Sequence, residues 1–248
     1  MVISIIVVNF NCSQLANRCL KSIFNDEVEA RKEIIFVDNA SQDISLLDQK
    51  LLSQVDVKIF NDRNLGVGAA RNLGLTKASG KYVCFLDSDD IFLQGKLKNQ
   101  LEFLEENNSF FMVCTNYYRV DSFDNLSRKT GLSLDAGEIK YSNLIQTNSI
   151  ALSSVMCRNK AGILNFDKGI REDYKLWLSI LNSEYRIYYI DNPLIGYYLP
   201  NKLSFVRKKI PKLGEQWRVQ RSNSSNIITA LYRFLIYCIN AIKKLWRT

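Results

Sequence analysis

Residues 2–8 read "VISIIVV", an almost unbroken β-branched run, which predicts a strand buried on both faces. Ser13 can then cap a helix whose apolar residues Leu15, Cys19, Leu20, Ile23 and Phe24 recur at helical spacing. "EIIFV" (33–37) predicts a second buried strand that ends at Asp38, and Ile44, Leu47, Leu51 and Leu52 suggest a second helix. "VDVKIF" (55–60) reads as a third strand, and "VGAARNLGLTKA" (67–78) as a third helix stopped by Gly80. "KYVCFL" (81–86) is a fourth strand that runs into the acidic stretch "FLDSDD" (85–90). A helix over about Gly95–Glu106 and a fifth strand, "FFMVCT" (110–115), follow.

The second half is less regular. Residues 117–148 hold polar and aromatic residues with weak periodicity, and "IALSSVMCR" (150–158) looks like a strand. "REDYKLWLSIL" (171–181) puts Leu176, Trp177, Ile180 and Leu181 on one helical face, with Glu172 and Asp173 at its N-terminus. "YRIYYI" (185–190) is another strand, and Asp191 and Pro193 turn the chain into "LIGYYL" (194–199).

Strands alternating with helices predict an α/β fold: a mostly parallel twisted sheet with helices on both faces. Ligands in such sheets sit beyond the carboxyl ends of the strands. Asn9 and Asn11, Asp38 and Asn39, Asn61–Asn64 and Asp87–Asp90 all follow strands, so they are expected to converge on one edge.

Composition narrows the chemistry. The chain has 248 residues, 47% hydrophobic and 23% charged, enough apolar mass for a substantial core. Three prolines and no Gly/Ser-rich linker favour one catalytic domain plus an appendage. Six cysteines, none in a C-x-x-C pair, read as reduced thiols and not as a disulfide framework or zinc site. The N-terminus lacks the pattern of a secretory leader, and its apolar run is too short to span a bilayer. Histidine is absent, which removes His-dependent triads, His-ligated zinc and His general bases. Acid–base work therefore falls to Asp, Glu, Lys, Tyr or Cys.

Charge is uneven. The total is +8, but residues 201–248 hold eleven Lys/Arg against the single acid Glu215. The first 200 residues then hold 22 basic and 24 acidic side chains, so a near-neutral body carries a basic tail suited to an anionic partner.

Three stretches could carry chemistry. Asp87 and Asp89 alternate in what reads as an extended segment, so both can face one divalent cation while Ser88 faces away. The competing reading is an acidic turn capping the next helix; like-charge repulsion at the end of a buried strand favours the cation. In "NLGVGAARNLGL" (64–75), Gly66, Gly68 and Gly74 allow close backbone approach at a helix start. Arg71, on an otherwise small apolar face, either meets an anion or a base edge or snorkels to solvent. In "RED" (171–173), Asp173 either complements the helix dipole or serves as a general base.

Taken in order and spacing, "SIIVVNFN", "EIIFVDNASQD", "NLGVGAARNLGL", "FLDSDD" and "EDYKLWL" resemble the family 2 glycosyltransferases with a GT-A fold, over roughly residues 2–200. The resemblance implies a nucleotide-sugar-binding half (1–116), an acceptor-binding half of the same domain (117–204) and a basic, membrane-associating tail (205–248). It implies that Asp38 and Arg71 contact the nucleotide base, with Asn9, Asn39 and Ser88 also on the donor side. It implies that Asp87 lies near the ribose and metal, and that Asp89 ligates Mn²⁺ or Mg²⁺ on the diphosphate. Asp173 matches the general base, and Glu172 and Trp177 would meet the acceptor. One departure stands out. Many members carry a metal-binding His in a Y-R-x-H-x-x-S pattern, but "YYLPNKLS" (197–204) has none, so either fewer protein ligands hold the metal or Asn201 or Lys202 takes part of the role.

The chemistry implied is a single displacement with inversion, forming a β-linkage from a UDP-sugar. UDP-glucose is the favoured donor, and a GlcNAc-diphosphate-undecaprenyl lipid of O-antigen or polysaccharide assembly the favoured acceptor. UDP-galactose or UDP-GlcNAc as donor, or a non-catalytic nucleotide-binding scaffold, are the alternatives. The tail "IITALYRFLIYCINAIKKLW" (227–246) is apolar but broken by Arg233 and Asn240 and closed by Lys243 and Lys244. That suits an amphipathic helix lying on an anionic surface, the inner face of a bacterial cytoplasmic membrane, better than a span or a nucleic-acid contact. The competing reading packs it against the catalytic domain.

Overall fold

The computed structural model describes residues 1–120, 135–169, 171–198 and 212–246. Its centre is a parallel set of four strands: β1 (Val2–Asn9), β2 (Arg31–Asp38), β3 (Val57–Phe60) and β4 (Tyr82–Asp87). They lie in the order β3-β2-β1-β4. The sheet continues through β8 (Val155–Arg158), β6 (Phe110–Val120), β9 (Arg186–Tyr198) and the short β5 (Ile91–Phe92), with β7 (Gly137–Ile139) also paired to β9. β8 runs antiparallel to both β4 and β6, and β9 parallel to β6, so a mixed second half extends the parallel first half.

The β-branched runs fill two cores because successive side chains of a strand point to opposite faces. Ile3, Ile5 and Val7 pack on one face with Ala16, Cys19, Leu20 and Ile23 of α1 (Ser13–Asn25). Leu51 and Leu52 of α2 (Gln49–Ser53) and Leu97 and Leu104 of α4 (Lys96–Glu106) join that layer. Ile6 and Val8 pack on the other face with Ala70 of α3 (Val67–Leu75) and with Tyr174, Trp177 and Ile180 of α6 (Glu172–Asn182). A short α5 (Tyr141–Leu144) and two C-terminal helices, α7 (Lys212–Ser222) and α8 (Ile227–Trp246), complete the chain. Val219 of α7 enters the α6 layer.

Several expected boundaries move for physical reasons. Ser13 does not cap α1. It lies inside the helix, while the carboxylate of Asp43 accepts from both its backbone N and its hydroxyl. Gly80 does not stop α3, which ends at Leu75; a Cβ at Gly80 would lie 2.7 Å from the backbone N of Ser4, so close strand approach demands the glycine. The second helix shortens to a 3₁₀ turn over Ile44–Leu46 followed by α2, and residues 152–154 form another 3₁₀ turn before β8. Pro193 sits within β9, where the pairing shifts register against β6, so the expected turn is a bulge in one long strand. All six cysteines are free thiols.

Candidate active site

Register brings the strand-end polar residues together. Asn9 pairs across to Asp38, and Asp87 stands opposite Val8, so β1, β2 and β4 end at one edge. Asn9 is fully buried, and its Nδ2 donates to Asp38 Oδ1 at 2.9 Å, Ser13 Oγ at 3.0 Å and Ser41 Oγ at 3.1 Å. Its Oδ1 is buried and has no hydrogen-bond partner among the described residues. Asn39 ties the edge to the loop before α3: its Nδ2 donates to Asn64 Oδ1, and its Oδ1 accepts from Leu65 N.

The acidic stretch is a turn, not the extended segment the alternation suggested. β4 ends at Asp87, and the backbone N of Asp90 donates to the carbonyl of Asp87 at 2.9 Å. The turn gathers a carboxylate oxygen each from Asp87, Asp89 and Asp90, all within 4.8 Å of one another. Asp90 is buried and accepts from Ser153 Oγ at 2.5 Å and from Tyr198 N at 3.0 Å. Burial, with Asp89 and Asp87 alongside, holds its carboxyl well above the usual range. Asp90 thus fastens the turn to the 152–154 turn and to β9, and it does not cap α4; Asp26 does that, accepting from Gly95 N and Leu97 N. Ser88 is buried and hydrogen-bonds with Cys12. The donor set suits a hard divalent cation, because three carboxylates in one turn need positive charge or a retained proton to coexist. Asn201 and Lys202, expected to take part of the missing histidine's role, lie outside the described residues.

Arg71 does not snorkel. It is 4% exposed and spans two carboxylates. One terminal nitrogen donates to Asp87 Oδ1 at 2.7 Å and the other to Glu172 Oε1 at 2.5 Å. Its guanidinium also lies 5.3 Å from the centroid of the Phe166 ring. Phe166 is held in turn by both backbone groups on the Asn72 amide. Gly68 makes this approach possible: a Cβ there would sit 2.7 Å from the carbonyl of Asp167. The "ED" pair therefore reaches the strand edge through α3.

Asp173 opens α6 beside Glu172 and Arg71. The protein around it and the Glu172 charge raise its carboxyl to about 6, against the pull of Arg71 and of the Tyr174 backbone N–H. A carboxylate tuned there can take a proton near neutral pH. The preceding residue, Arg171, has φ 61° and ψ 34°, the left-handed region. Trp177, expected at the acceptor, is fully buried in the core, and Glu172 is spent on Arg71. Neither offers a free surface to an acceptor. Ser153 and Phe166 were not legible as site residues, because nothing in their local sequence marks them.

Among the described residues, no helix is long and apolar enough to cross a membrane. α7 and α8 pack beside α5 and the start of α6: Gln220 Nε2 donates to the carbonyl of Ile145, and the Arg171 guanidinium stacks 5.2 Å from the Tyr237 ring.

Comparison with known proteins agrees with this architecture. Residues 4–167 match the sequence profile described as Glycosyl transferase family 2. A glycosyltransferase of Rickettsia bellii is 35% identical over 181 residues, which are 72% of this chain and 26% of that protein, so the chain spans about a quarter of that relative. The UDP-Glc:alpha-D-GlcNAc-diphosphoundecaprenol beta-1,3-glucosyltransferase WfgD of Escherichia coli is 30% identical over 245 residues, 98% of this chain and 94% of that one. Among solved structures, S. aureus TarS 1-349 in complex with UDP-GlcNAc superposes with a TM-score of 0.65 at 21% identity, covering 81% of this chain and 59% of that one. The shared fold is that of a GT-A glycosyltransferase.

Proposed function

The chain belongs to glycosyl transferase family 2, and from that membership we propose that it is a metal-dependent, inverting transferase. It moves a hexose from a UDP-sugar, UDP-glucose first, to a hydroxyl of a GlcNAc-diphosphate-undecaprenyl lipid and forms a β-linkage. What supports the donor and acceptor is the similarity along 98% of this chain to WfgD, a UDP-Glc:alpha-D-GlcNAc-diphosphoundecaprenol beta-1,3-glucosyltransferase. What carries the mechanism is the Arg71 bridge, which joins the acidic turn at Asp87 to Glu172, the neighbour of Asp173.

On this reading the nucleoside lies over the edge built by Asn9, Asp38 and Asn39, where the Asn9 amide holds the Asp38 carboxylate in place. Arg71 contributes to the donor side as the clamp that fixes Asp87, since both its ends are already engaged. Asp89 and Asp87 would hold Mn²⁺ or Mg²⁺, whose charge offsets the charge that grows on a departing diphosphate. Asp173 takes the proton from the attacking acceptor hydroxyl, on the face of the sugar opposite the leaving group. Residues 1–116 serve the donor and 117–204 the acceptor, and 205–248 hold the enzyme on the inner face of the cytoplasmic membrane.

The test is UDP release from a panel of UDP-sugars, with and without a lipid-diphosphate acceptor and Mn²⁺. Acceptor- and metal-dependent release from UDP-glucose is expected. Preference for UDP-galactose or UDP-GlcNAc would replace the donor assignment, and no release from any donor would leave a nucleotide-binding scaffold.

A further inference from the structure

α8 has two apolar faces, and among the described residues only one is packed. Ala230 and Tyr237 are buried, Phe234 packs edge-on to Trp217 of α7, and Asn240 Nδ2 donates to the carbonyl of Gln146. At about 100° per residue these four fall on one side of the helix. Ile228, Leu231, Tyr232, Leu235 and Ile239 fall on the opposite side within about 100° of arc. They are exposed, Ile228 at 76%, Tyr232 at 65% and Leu235 at 60%. Packing on the domain and a free apolar face thus coexist in one helix.

Charge identifies what covers that face. The sequence from 201 onward holds eleven Lys/Arg and one acid, and Lys243, Lys244 and Arg247 close it, whereas the rest of the chain is slightly acidic. A second copy of this chain would have to set that basic tail against an equally basic one if the two met face to face. An anionic lipid surface takes both the apolar residues and the positive charge.

We propose that the Ile228–Leu231–Tyr232–Leu235–Ile239 face of α8 is a membrane seat that inserts among anionic headgroups. The contacts beneath it fix the seat beside the start of α6. Arg171 stacks on Tyr237 and directly precedes the Glu172–Asp173 pair, and Gln220 and Asn240 anchor α7 and α8 to the segment around residues 145 and 146. Docking therefore sets the height and tilt of the acceptor side above the bilayer. This deepens the proposed function, in which the acceptor is lipid-borne, but it stands on the helix face itself.

The test uses the full chain and vesicles without any acceptor lipid. One set is phosphatidylcholine alone, and the other carries phosphatidylglycerol as well. Wild type is expected to sediment with the anionic vesicles and to be released by salt. Leu231→Glu/Leu235→Glu is expected to bind at least about tenfold more weakly, because two inserting side chains become charged. The milder Ile228→Ser/Leu235→Ser is expected to weaken binding less and to keep the wild-type circular dichroism spectrum and UDP release toward a short-chain, detergent-free acceptor. Undiminished binding of the glutamate variant overturns the proposal, as does equal binding to neutral vesicles. So does a wild-type dimer that the variants split without any change in vesicle binding, since a second copy would then cover the face. Loss of sugar transfer with vesicle binding intact counts against the proposed reaction and leaves the seat standing.

Discussion

Arg71 and Glu172 stand 101 residues apart in the chain and meet at 2.5 Å. Both side chains are almost wholly buried, at 5% and 10% exposure. The pair joins α3, which lies along the donor edge, to the start of α6, which carries Asp173. Through its other nitrogen Arg71 also fixes Asp87, so donor turn and candidate base are set against each other by one guanidinium. Lysine could not do this, because its single ammonium lacks the planar fork that reaches two carboxylates in fixed directions.

Removing Arg71 leaves a buried Glu172 carboxylate without its partner. Breaking one side of a buried pair costs about 3–5 kcal/mol. Arg71→Ala is therefore expected to lower the midpoint of urea unfolding markedly. Arg71→Lys should recover part of that stability without recovering transfer. Equal stability of Arg71→Ala and wild type would show that the pair is not closed in solution.

Asp173 predicts opposite pH trends for activity and stability. As a base it works only when ionised, so kcat should rise with pH through a midpoint of about 6. Stability runs the other way. The folded state holds the Asp173 proton more tightly than the unfolded chain, so this group's contribution falls as pH rises from the ordinary aspartate range to about 6. Asp173→Asn should abolish transfer, leave UDP binding nearly intact, and melt higher than wild type at pH 7 with little gain at pH 4. A pH-independent Asp173→Asn stability difference would break the link between burial and the raised carboxyl.

The three acids of the turn should respond differently. Asp89→Ala is expected to weaken Mn²⁺-dependent UDP binding, read by calorimetry with and without chelator, while the fold persists. Asp90→Ala instead removes the acceptor of the Ser153 hydroxyl and of Tyr198 N, so its main effect should be on unfolding, roughly 1–3 kcal/mol. Metal dependence unchanged in Asp89→Ala would assign the ligand role elsewhere.

Much of this was legible in the sequence, for definite reasons. Buried strands announce themselves as β-branched runs, and polar residues at their ends fall on one edge of a parallel sheet, so the convergence of Asn9, Asp38 and Asp87 is legible in the sequence. Arg71 could be marked as needing an anion, because its neighbours on the helix are small and apolar. Its partner could not, since Glu172 is local to nothing near it in sequence. The turn at Asp87–Asp90 was read as extended because its shape is imposed from outside, by Ser153 and by the backbone of Tyr198. Trp177 was placed at the acceptor by its family position, whereas its helical phase beside Leu176 and Ile180 already pointed to the core it occupies.

Arg171 carries the last prediction. A non-glycine residue in the left-handed region costs about 1 kcal/mol or more, and here it directly precedes the Glu172–Asp173 pair. Its guanidinium stacks on Tyr237 of α8, a contact that offsets part of that cost. Arg171→Ala loses the stack and keeps the backbone strain. Arg171→Gly loses the stack and relieves the strain. The glycine variant should therefore unfold at higher urea than the alanine variant by about 1 kcal/mol, and both should lose the same contact to α8. Tyr237→Ala, which removes the stack from the other side, should resemble Arg171→Ala in its effect on α6 without touching the backbone at 171. If alanine and glycine prove equally stable, residue 171 does not hold the left-handed conformation in solution, and α6 starts one residue earlier.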